Sequence, residues 1–249
     1  MSGKNLRAQQ TSQRTNAEGK HVFNKVLLAM PDKEYELMRG DLTYIDLPSH
    51  LSLHEPTQAV EFVYYPNRGM VSQVVVTKDG RTVEVGVVGK EGYVGAWLAA
   101  GMSRSSIREI MQIGGDGFRM KGSALQRILQ SAPQLRAILN SQTGLQGMQV
   151  AQTAACNRLH DIQQRLSRWL LMTQDRVDAG MLQITHDFIA TMMGTDRATV
   201  SLAALAMQKR GIIEYVRGAV KVVNRRKLEI TSCECYDVIR QLEDELGLR

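Results

Sequence analysis

Residues 185–211 have the sequence THDFIATMMGTDRATVSLAALAMQKRG, in which two helical patterns flank a glycine. Thr185 can cap a first helix over residues 186–193, whose apolar positions share one face. Gly194 follows directly, and glycine is the residue that best ends a helix and allows a sharp turn. This order of helix, short glycine turn and helix predicts a helix-turn-helix.

The second helix of this unit is predicted to contact DNA. Asp196 or Thr195 can cap it, and its apolar contacts are predicted to come from Val200, Leu202, Leu205 and Met207. Because the first residues of such a helix reach base edges in the major groove, Arg197 is predicted to bind a guanine through its guanidinium fork. Otherwise Arg197 is an ordinary solvated helix residue. Further DNA contacts, chiefly to phosphates, are predicted for Thr195, Thr199, Ser201 and Lys209.

A tight hairpin, the wing, is predicted directly after this helix. Residues 212–216 and 219–223 alternate in polarity around Arg217-Gly218, whose arginine adds a charge at the tip. The charge continues in Lys221, Arg225, Arg226 and Lys227. Between residues 185 and 227, eight basic residues stand against three acidic ones, a net charge of +5 out of +6 for the whole chain. Such a surface can displace counterions from a DNA duplex.

Residues 21–125 have the pattern of a small antiparallel β-barrel. Short runs rich in Val, Ile and Tyr are separated by turn residues, and the Asp79-Gly80 pair between two alternating runs predicts a hairpin. Several short strands with frequent turns are typical of a barrel or sandwich. The predicted strands include residues 42–47, 61–65, 70–77 and 82–88.

Residues 126–160 contain a long helical pattern. Pro133 fits the first turn of a helix running to about Asn157. Gly144 and Gly147 would let a second helix approach closely, and so narrow an apolar stripe on a long helix is typical of pairing with a partner helix. We therefore predict a dimerisation helix; the alternative is a helix that covers its own barrel. The stripe consists of Leu135, Ile138, Leu145, Met148 and Ala155.

The remaining segments complete the predicted domain order. Residues 1–20 are polar and lack the apolar core of a signal peptide, so a disordered leader is expected there. Asp161 can cap a helix over residues 162–178, which opens a winged helix-turn-helix domain at 161–249 that ends in an acidic tail. The predicted fold class is α+β, with barrel, dimerisation helix and DNA-binding domain in that order.

Four short motifs resemble those of the Crp/Fnr superfamily of bacterial transcription regulators. They are DIQQRLSRWLL at 161–171, GTDRATVS at 194–201, GRTVEVG at 80–86 and GYVG at 92–95. The resemblance covers about residues 22–227. It implies a jelly-roll barrel of the cyclic-nucleotide-binding type, a homodimer on a pseudo-palindromic operator, and contact with RNA polymerase.

The same resemblance bears on the effector. In cyclic-nucleotide-binding members a Gly-Glu-Leu turn holds the ribose, whereas here Gly95 is followed by Ala96-Trp97, so classical cyclic AMP binding is not expected. Arg104 and Ser105 could still contact a phosphate; the alternative is that Arg104 is a surface loop residue. The iron–sulfur branch needs N-terminal cysteines, and the first cysteine here is Cys156, so no such cluster is expected.

Metal and enzyme chemistry have weaker signals. Cys233 and Cys235 could join a metal site, but a structural zinc site usually needs four ligands, so ordinary thiols are predicted. His50 and His54 with Glu55 could hold a metal in a barrel, at a loose spacing. Phosphate-binding, dinucleotide-binding and nucleophile-elbow motifs are missing from the sequence, so catalysis is not expected.

The chain as a whole has 249 residues, a pI near 9.3 and no apolar run of membrane-spanning length. A cytoplasmic DNA-binding regulator, possessing no catalytic activity, is the predicted function. The competing hypothesis is a ligand-binding barrel whose helical half mediates protein contacts and which binds DNA weakly and without sequence preference.

Overall fold

The computed structural model describes residues 14–177, 180–216 and 218–247. Its N-terminal half is built of two antiparallel sheets in the strand orders β1-β7-β3 and β2-β6-β4-β5. The strands are Thr43–Leu47 (β1), Ser52–His54 (β2), Phe62–Pro66 (β3), Met70–Val76 (β4), Thr82–Val88 (β5), Ile107–Ile113 (β6) and Gly115–Lys121 (β7). The helices around them are Lys25–Ala29 (α1), Asp32–Arg39 (α2), Ala96–Ala99 (α3) and Gly122–Ile128 (α4).

The hairpin predicted from Asp79-Gly80 is confirmed. Strands β4 and β5 pair with Val76 opposite Thr82, and Gly80 takes a φ of 83°, which a side chain would disfavour. The two sheets enclose an apolar core because alternate residues of each strand point inward. This core contains Leu47, Leu53, Tyr64, Val71, Val88, Val94 and Met111.

The expected disordered leader does not extend to residue 20, because residues 14–20 are folded against the barrel. The buried Asn16 donates from Nδ2 to the carbonyl oxygen of Leu42 at 3.0 Å, and Thr15 forms a bridge with His21. Arg14 binds Asp32 at 2.6 Å. Polar composition suggested a leader, but these polar side chains find partners, which makes their burial affordable. Residues 1–13 lie outside the described residues.

The long helix is α5, Pro133–Leu159, and the alternative interpretation, a helix that covers its own barrel, describes one of its faces. One face packs on the chain's own barrel through Leu135 and Leu139. The same face carries glutamines whose side chains bond at 2.6–3.0 Å to backbone groups of the barrel: Gln142 to Glu91, Gln146 to Tyr93 and Gln149 to Val87. The opposite face is exposed.

The C-terminal half is helical with a short hairpin. Its elements are Ile162–Arg176 (α6), His186–Met193 (α7), Arg197–Lys209 (α8), Ile213–Val216 (β8), Ala219–Val222 (β9), Arg225–Thr231 (α9) and Cys235–Glu245 (α10). Asp161 caps α6 as predicted, accepting from the backbone N–H groups of Gln163 and Gln164 in a capping box. Among the described residues, no helix combines the length and apolar character needed to cross a membrane.

The C-terminal segment, predicted as an acidic tail, forms the helix α10, which is packed and partly buried. Arg176 at the end of α6 lies 2.7 Å from Glu91 of the barrel and 2.7 Å from Glu243 of α10. All three side chains are largely buried. The carboxylates that read as a solvated tail therefore include one that joins α10 to the rest of the fold.

Candidate DNA-binding surface

The helix-turn-helix forms as local signals predict. Thr185 caps α7, accepting from the N–H of Phe188 at 3.2 Å, and Gly194 ends it in the left-handed region with φ 60°. Of the two candidate caps of α8, Asp196 is the one used, since it accepts from the N–H of Thr199 at 2.8 Å. Hydrogen bonds from the hydroxyl and the backbone N–H of Thr199 lower the pKa of Asp196. Asp196 therefore keeps a negative charge at the N-terminus of α8.

The exposed face of α8 differs from the predicted one. Val200 and Met207 are buried as expected, but Leu202 is 69% exposed and Leu205 is 48% exposed. The period of 3.6 explains the difference, because the buried positions Val200, Ala203, Ala204 and Met207 leave both leucines on the outer side. The outer surface of α8 therefore carries Arg197, Ala198, Leu202, Leu205 and Lys209.

Arg197 lies at the start of this face with its side chain 69% exposed. It pairs with Asp187 of α7, at 3.2 Å between Nη1 and Oδ2. An exposed ion pair of this kind is worth at most about 1 kcal/mol, so the guanidinium can leave it for a base at little cost.

Two of the predicted phosphate contacts are engaged within the domain. The hydroxyl of Thr199 donates to Asp196 at 2.7 Å, and Ser201 lies 2.9 Å from Nδ1 of His186. Desolvation and the charge of Arg197 lower the pKa of His186, so its ring is neutral at pH 7. Thr195 is half-buried beside the turn.

The wing is the predicted hairpin, with β8 and β9 paired from Ile213 opposite Val222 to Val216 opposite Ala219. Lys221 is exposed on β9, as Lys209 is on α8. Arg217, predicted to charge the tip, lies outside the described residues.

The basic run after the wing is not a continuation of it. Residues 225–231 form α9, and Arg225 is half-buried, binding Asp175 at 2.7 Å and Glu229 at 3.0 Å. Lys227 donates to the carbonyl oxygen of Arg210 at 3.0 Å. The net charge counted along the sequence therefore overstates the charge available to DNA, because part of it is used to assemble the domain.

The DNA-binding domain also rests on the barrel. The turn at Gly194 lies close to β5, where a Cβ on Gly194 would meet Val83 at 3.2 Å. Glu84, the next residue of β5, accepts from the indole N–H of Trp169 in α6 at 2.7 Å. A hydroxyl hydrogen bond from Ser72 reaches the same buried carboxyl group. These contacts couple the position of the helix-turn-helix to strand β5.

The predicted effector residues do not line the nearest pocket of the barrel, but Gly95 and Arg104 lie beside residues that do. Gly95 begins α3 with φ 89°, and a Cβ there would meet His54 at 3.2 Å. Arg104 is exposed and bridges to Ala59, whereas the hydroxyl of Ser105 accepts from the N–H of Ile107. The pocket measures about 400 Å³ and is lined by Ser52, Leu53, His54, Glu55, Gln58, Ala59, Glu61, Phe62 and Tyr64.

The hypothesis that a metal binds to His50, His54 and Glu55 finds no support in this geometry. Both ring nitrogens of His54 are occupied, one 2.8 Å from the carbonyl oxygen of Phe62 and the other 2.5 Å from Glu109. Glu55 binds Arg108 at 2.9 Å, and His50 is exposed in a loop.

Comparison with known proteins agrees with this architecture. Residues 164–230 match the family of Crp-like helix-turn-helix domains. No curated protein sequence matches the chain. Among solved structures, the c-di-GMP-responsive global regulator CLP of Xanthomonas campestris aligns with 78% of this chain and 100% of its own, at 16% identity and a TM-score of 0.65.

Two further structures have similar scores. FixK2 of Bradyrhizobium japonicum aligns with 77% of this chain and 98% of its own, at 16% identity and a TM-score of 0.62. A Crp/Fnr-family regulator of Eubacterium rectale aligns with 81% of this chain and 94% of its own, at 14% identity and a TM-score of 0.63. At such identities the likeness establishes the fold, and the barrel, long helix and winged domain follow one another in the predicted order.

Proposed function

We propose that this chain binds a pseudo-palindromic operator as a homodimer. The proposal rests on the fold, which is that of a Crp/Fnr-type transcription regulator, and on the Crp-like helix-turn-helix domain. The observation that carries the proposal is the exposed face of α8, which presents Arg197 at its start and Lys209 at its end beside a hairpin wing. Two such helices, about 34–36 Å apart, would enter successive major grooves.

Arg197 is the residue that we propose reads a base. Arg197→Ala should weaken binding to the selected operator by about 1–3 kcal/mol and relax the base preference at one position of each half-site. Operators are first selected from a random DNA pool, and affinities are then measured by fluorescence anisotropy at fixed salt. The matched control is Arg127→Ala in α4, which removes an equally exposed arginine (68%) that likewise pairs with one aspartate.

If Arg197→Ala binds the selected operator as tightly as the wild type does, Arg197 does not contact the DNA bases. If the pool yields only salt-sensitive binding without sequence preference, the competing hypothesis is favoured. In that hypothesis the barrel binds a ligand and the helical half mediates protein contacts.

Homodimer formation is proposed through the exposed face of α5. Gly144 and Gly147 have open space where a Cβ would stand, and Ala151 and Ala155 continue the same exposed face. Met148, 54% exposed, supplies apolar area at its centre. Small residues let two helices approach closely, so a second copy of α5 fits here.

Ala151→Glu should therefore dissociate the dimer, because two carboxylates would meet across the symmetry axis without a partner. Sedimentation velocity at micromolar concentration checks this, with a shift from dimer to monomer expected. Ala100→Glu, an exposed alanine at the end of α3, is the control that should leave the dimer intact. A monomeric wild type would contradict the proposal.

A small effector in the barrel pocket is part of the same proposal, with Gly95, Arg104 and Ser105 near it. Glu55 and Glu61 line the pocket, and Arg108 pairs with Glu55. Arg104 lies outside this lining, so the lining carboxylates favour a neutral or cationic ligand over a nucleotide. As an activator the protein would also contact RNA polymerase.

A further inference from the structure

Four side chains capable of binding metal meet where α5 ends. The sulfur atoms of Cys156, Cys233 and Cys235 and a ring nitrogen of His160 all lie within 4.8 Å of one another. Cys156 lies in the last turn of α5 and His160 caps its C-terminus, while Cys233 and Cys235 come from the junction of α9 and α10. The sequence predicted ordinary thiols at 233 and 235; the fold supplies the two ligands that this prediction lacked.

The spacing of these atoms suits one tetrahedral ion. Cys156 Sγ lies 3.5 Å from Cys233 Sγ, and Cys235 Sγ lies 3.5 Å from His160 Nδ1. Zinc–sulfur bonds of about 2.3 Å and zinc–nitrogen bonds of about 2.0–2.1 Å place two tetrahedral ligand atoms about 3.5–3.8 Å apart. All three cysteines are free and buried, so the thiols are available to a metal and shielded from solvent.

Outer hydrogen bonds already orient two of the ligands. His160 Nε2 lies 3.2 Å from the carboxylate of Glu234, which leaves Nδ1 to face the sulfur atoms. A carboxylate behind the histidine in this way is the usual partner of a zinc-bound imidazole. Gln152 donates from Nε2 to Cys235 Sγ at 3.0 Å, a hydrogen bond that stabilises a thiolate.

The charge of the surroundings fits as well. Three thiolates around a divalent cation leave one net negative charge, which a buried site must balance. Arg168 lines the same cavity as Cys156, and its Nη2 donates to Thr153 at 3.1 Å. In the described part of the chain, its buried Nε has no hydrogen-bond partner.

We propose that Cys156, His160, Cys233 and Cys235 bind one zinc ion per chain. A thiolate-rich, nitrogen-completed set favours zinc over magnesium or calcium, which prefer oxygen ligands. A binuclear iron–sulfur cluster would need ligands spread over two irons, whereas these four atoms are close enough for a single ion. Binding releases the thiol protons to solvent and changes no oxidation state.

The position of the site gives the ion a structural role. It ties the α9–α10 junction to the end of α5, and α6 begins immediately afterwards, capped by Asp161. Zinc would therefore fix the junction between the long helix and the DNA-binding domain. The binding itself does not depend on the proposed DNA function, so either proposal can fail without the other.

Metal analysis of the full chain, purified under reducing conditions, tests the proposal first. One zinc per chain is expected. Protein stripped with a chelator should rebind zinc in competition with a chromophoric chelator, and cobalt(II) should give the visible absorption of a tetrahedral thiolate site. Stripping should also lower the Tm, since a metal bound only by the folded state stabilises it.

Variants identify the ligands. Glu234→Gln removes a hydrogen-bond partner of a ligand and should lower the zinc affinity by roughly 10–100-fold. Cys156→Ser and Cys235→Ser each remove a ligand and should lower the zinc affinity by more than that. His160→Gln should weaken binding as the cysteine variants do. His21→Gln, an exposed histidine far along the chain, is the matched control and should bind as the wild type does.

Several results would overturn the proposal. These are a wild type that neither contains zinc nor rebinds it, zinc affinity unchanged in the cysteine variants, and iron with the absorption of an iron–sulfur cluster. A Cys156–Cys233 disulfide in protein kept under reducing conditions would also overturn it. If a serine variant does not fold, the cobalt(II) spectrum of the wild type decides alone, because it reports thiolate ligation directly.

Discussion

Arg176→Ala is expected to lower the free energy of unfolding by about 3–5 kcal/mol, because it leaves two buried carboxylates without their shared cation. The Arg176 guanidinium lies between Glu91 of the barrel and Glu243 of α10, 2.7 Å from each. Burial already raises the pKa of Glu243, and the charge of Arg176 opposes that rise. Urea unfolding at pH 7.5 measures the loss.

Two controls separate the buried charge from the arginine itself. Arg81→Ala removes an exposed arginine that pairs with Asp79, and should cost no more than about 1 kcal/mol. Combining Arg176→Met with Glu91→Gln and Glu243→Gln removes all three charges and should recover most of the loss. A cost below about 1 kcal/mol for Arg176→Ala would show that the triad does not hold barrel, α6 and α10 together.

Glu84→Gln is expected to make the protein more stable at pH 8 but not at pH 4.5. Burial raises the pKa of Glu84 from 4.5 to about 7, despite hydrogen bonds from Ser72 and Trp169 that favour the charged form. Between pH 4.5 and about pH 7 the folded state holds a proton on Glu84 that the unfolded state has lost. The free energy of unfolding of the wild type therefore declines as the pH rises through this range. The full difference amounts to about 3 kcal/mol.

Glutamine keeps the contacts of the neutral acid, since its oxygen can accept from Trp169 and its amide can donate to Ser72. Thermal unfolding of both proteins from pH 4.5 to 8.5 should therefore show a gap that opens towards high pH and levels off above about pH 8. A gap that is constant with pH would mean that Glu84 does not titrate in this range. Glu36→Gln, an exposed glutamate of α2, should show no such trend.

The sequence alone predicted those parts of the fold that depend on near neighbours along the chain. The caps Thr185 and Asp161, the turn at Gly194 and the hairpin at Asp79-Gly80 each satisfy backbone groups a few residues away, so their chemistry is visible in the sequence. The exposure of Leu202 was within reach too, because the helical period places it opposite Val200.

Contacts that join distant segments were not visible in this way. The sequence does not reveal that Gln149 of α5 accepts a hydrogen bond from the backbone N–H of Val87, 62 residues away. Ser201 and Arg225 read as candidates for DNA, yet His186 and Asp175 engage them. A polar side chain has the same pattern whether its partner is water or a buried backbone group, so only the folded chain distinguishes them.

The order of barrel, long helix and winged helix-turn-helix was thus determined by the sequence itself, through local periodicity, caps and turns. Tertiary structure alone decided which faces remain free, how Glu84 and Arg176 bind the domains to each other, and that Cys156 and Cys233, 77 residues apart, are neighbours. The physical reason is range: local signals repeat within a helical turn or a hairpin, whereas these pairings arise only when the packed core brings remote residues together.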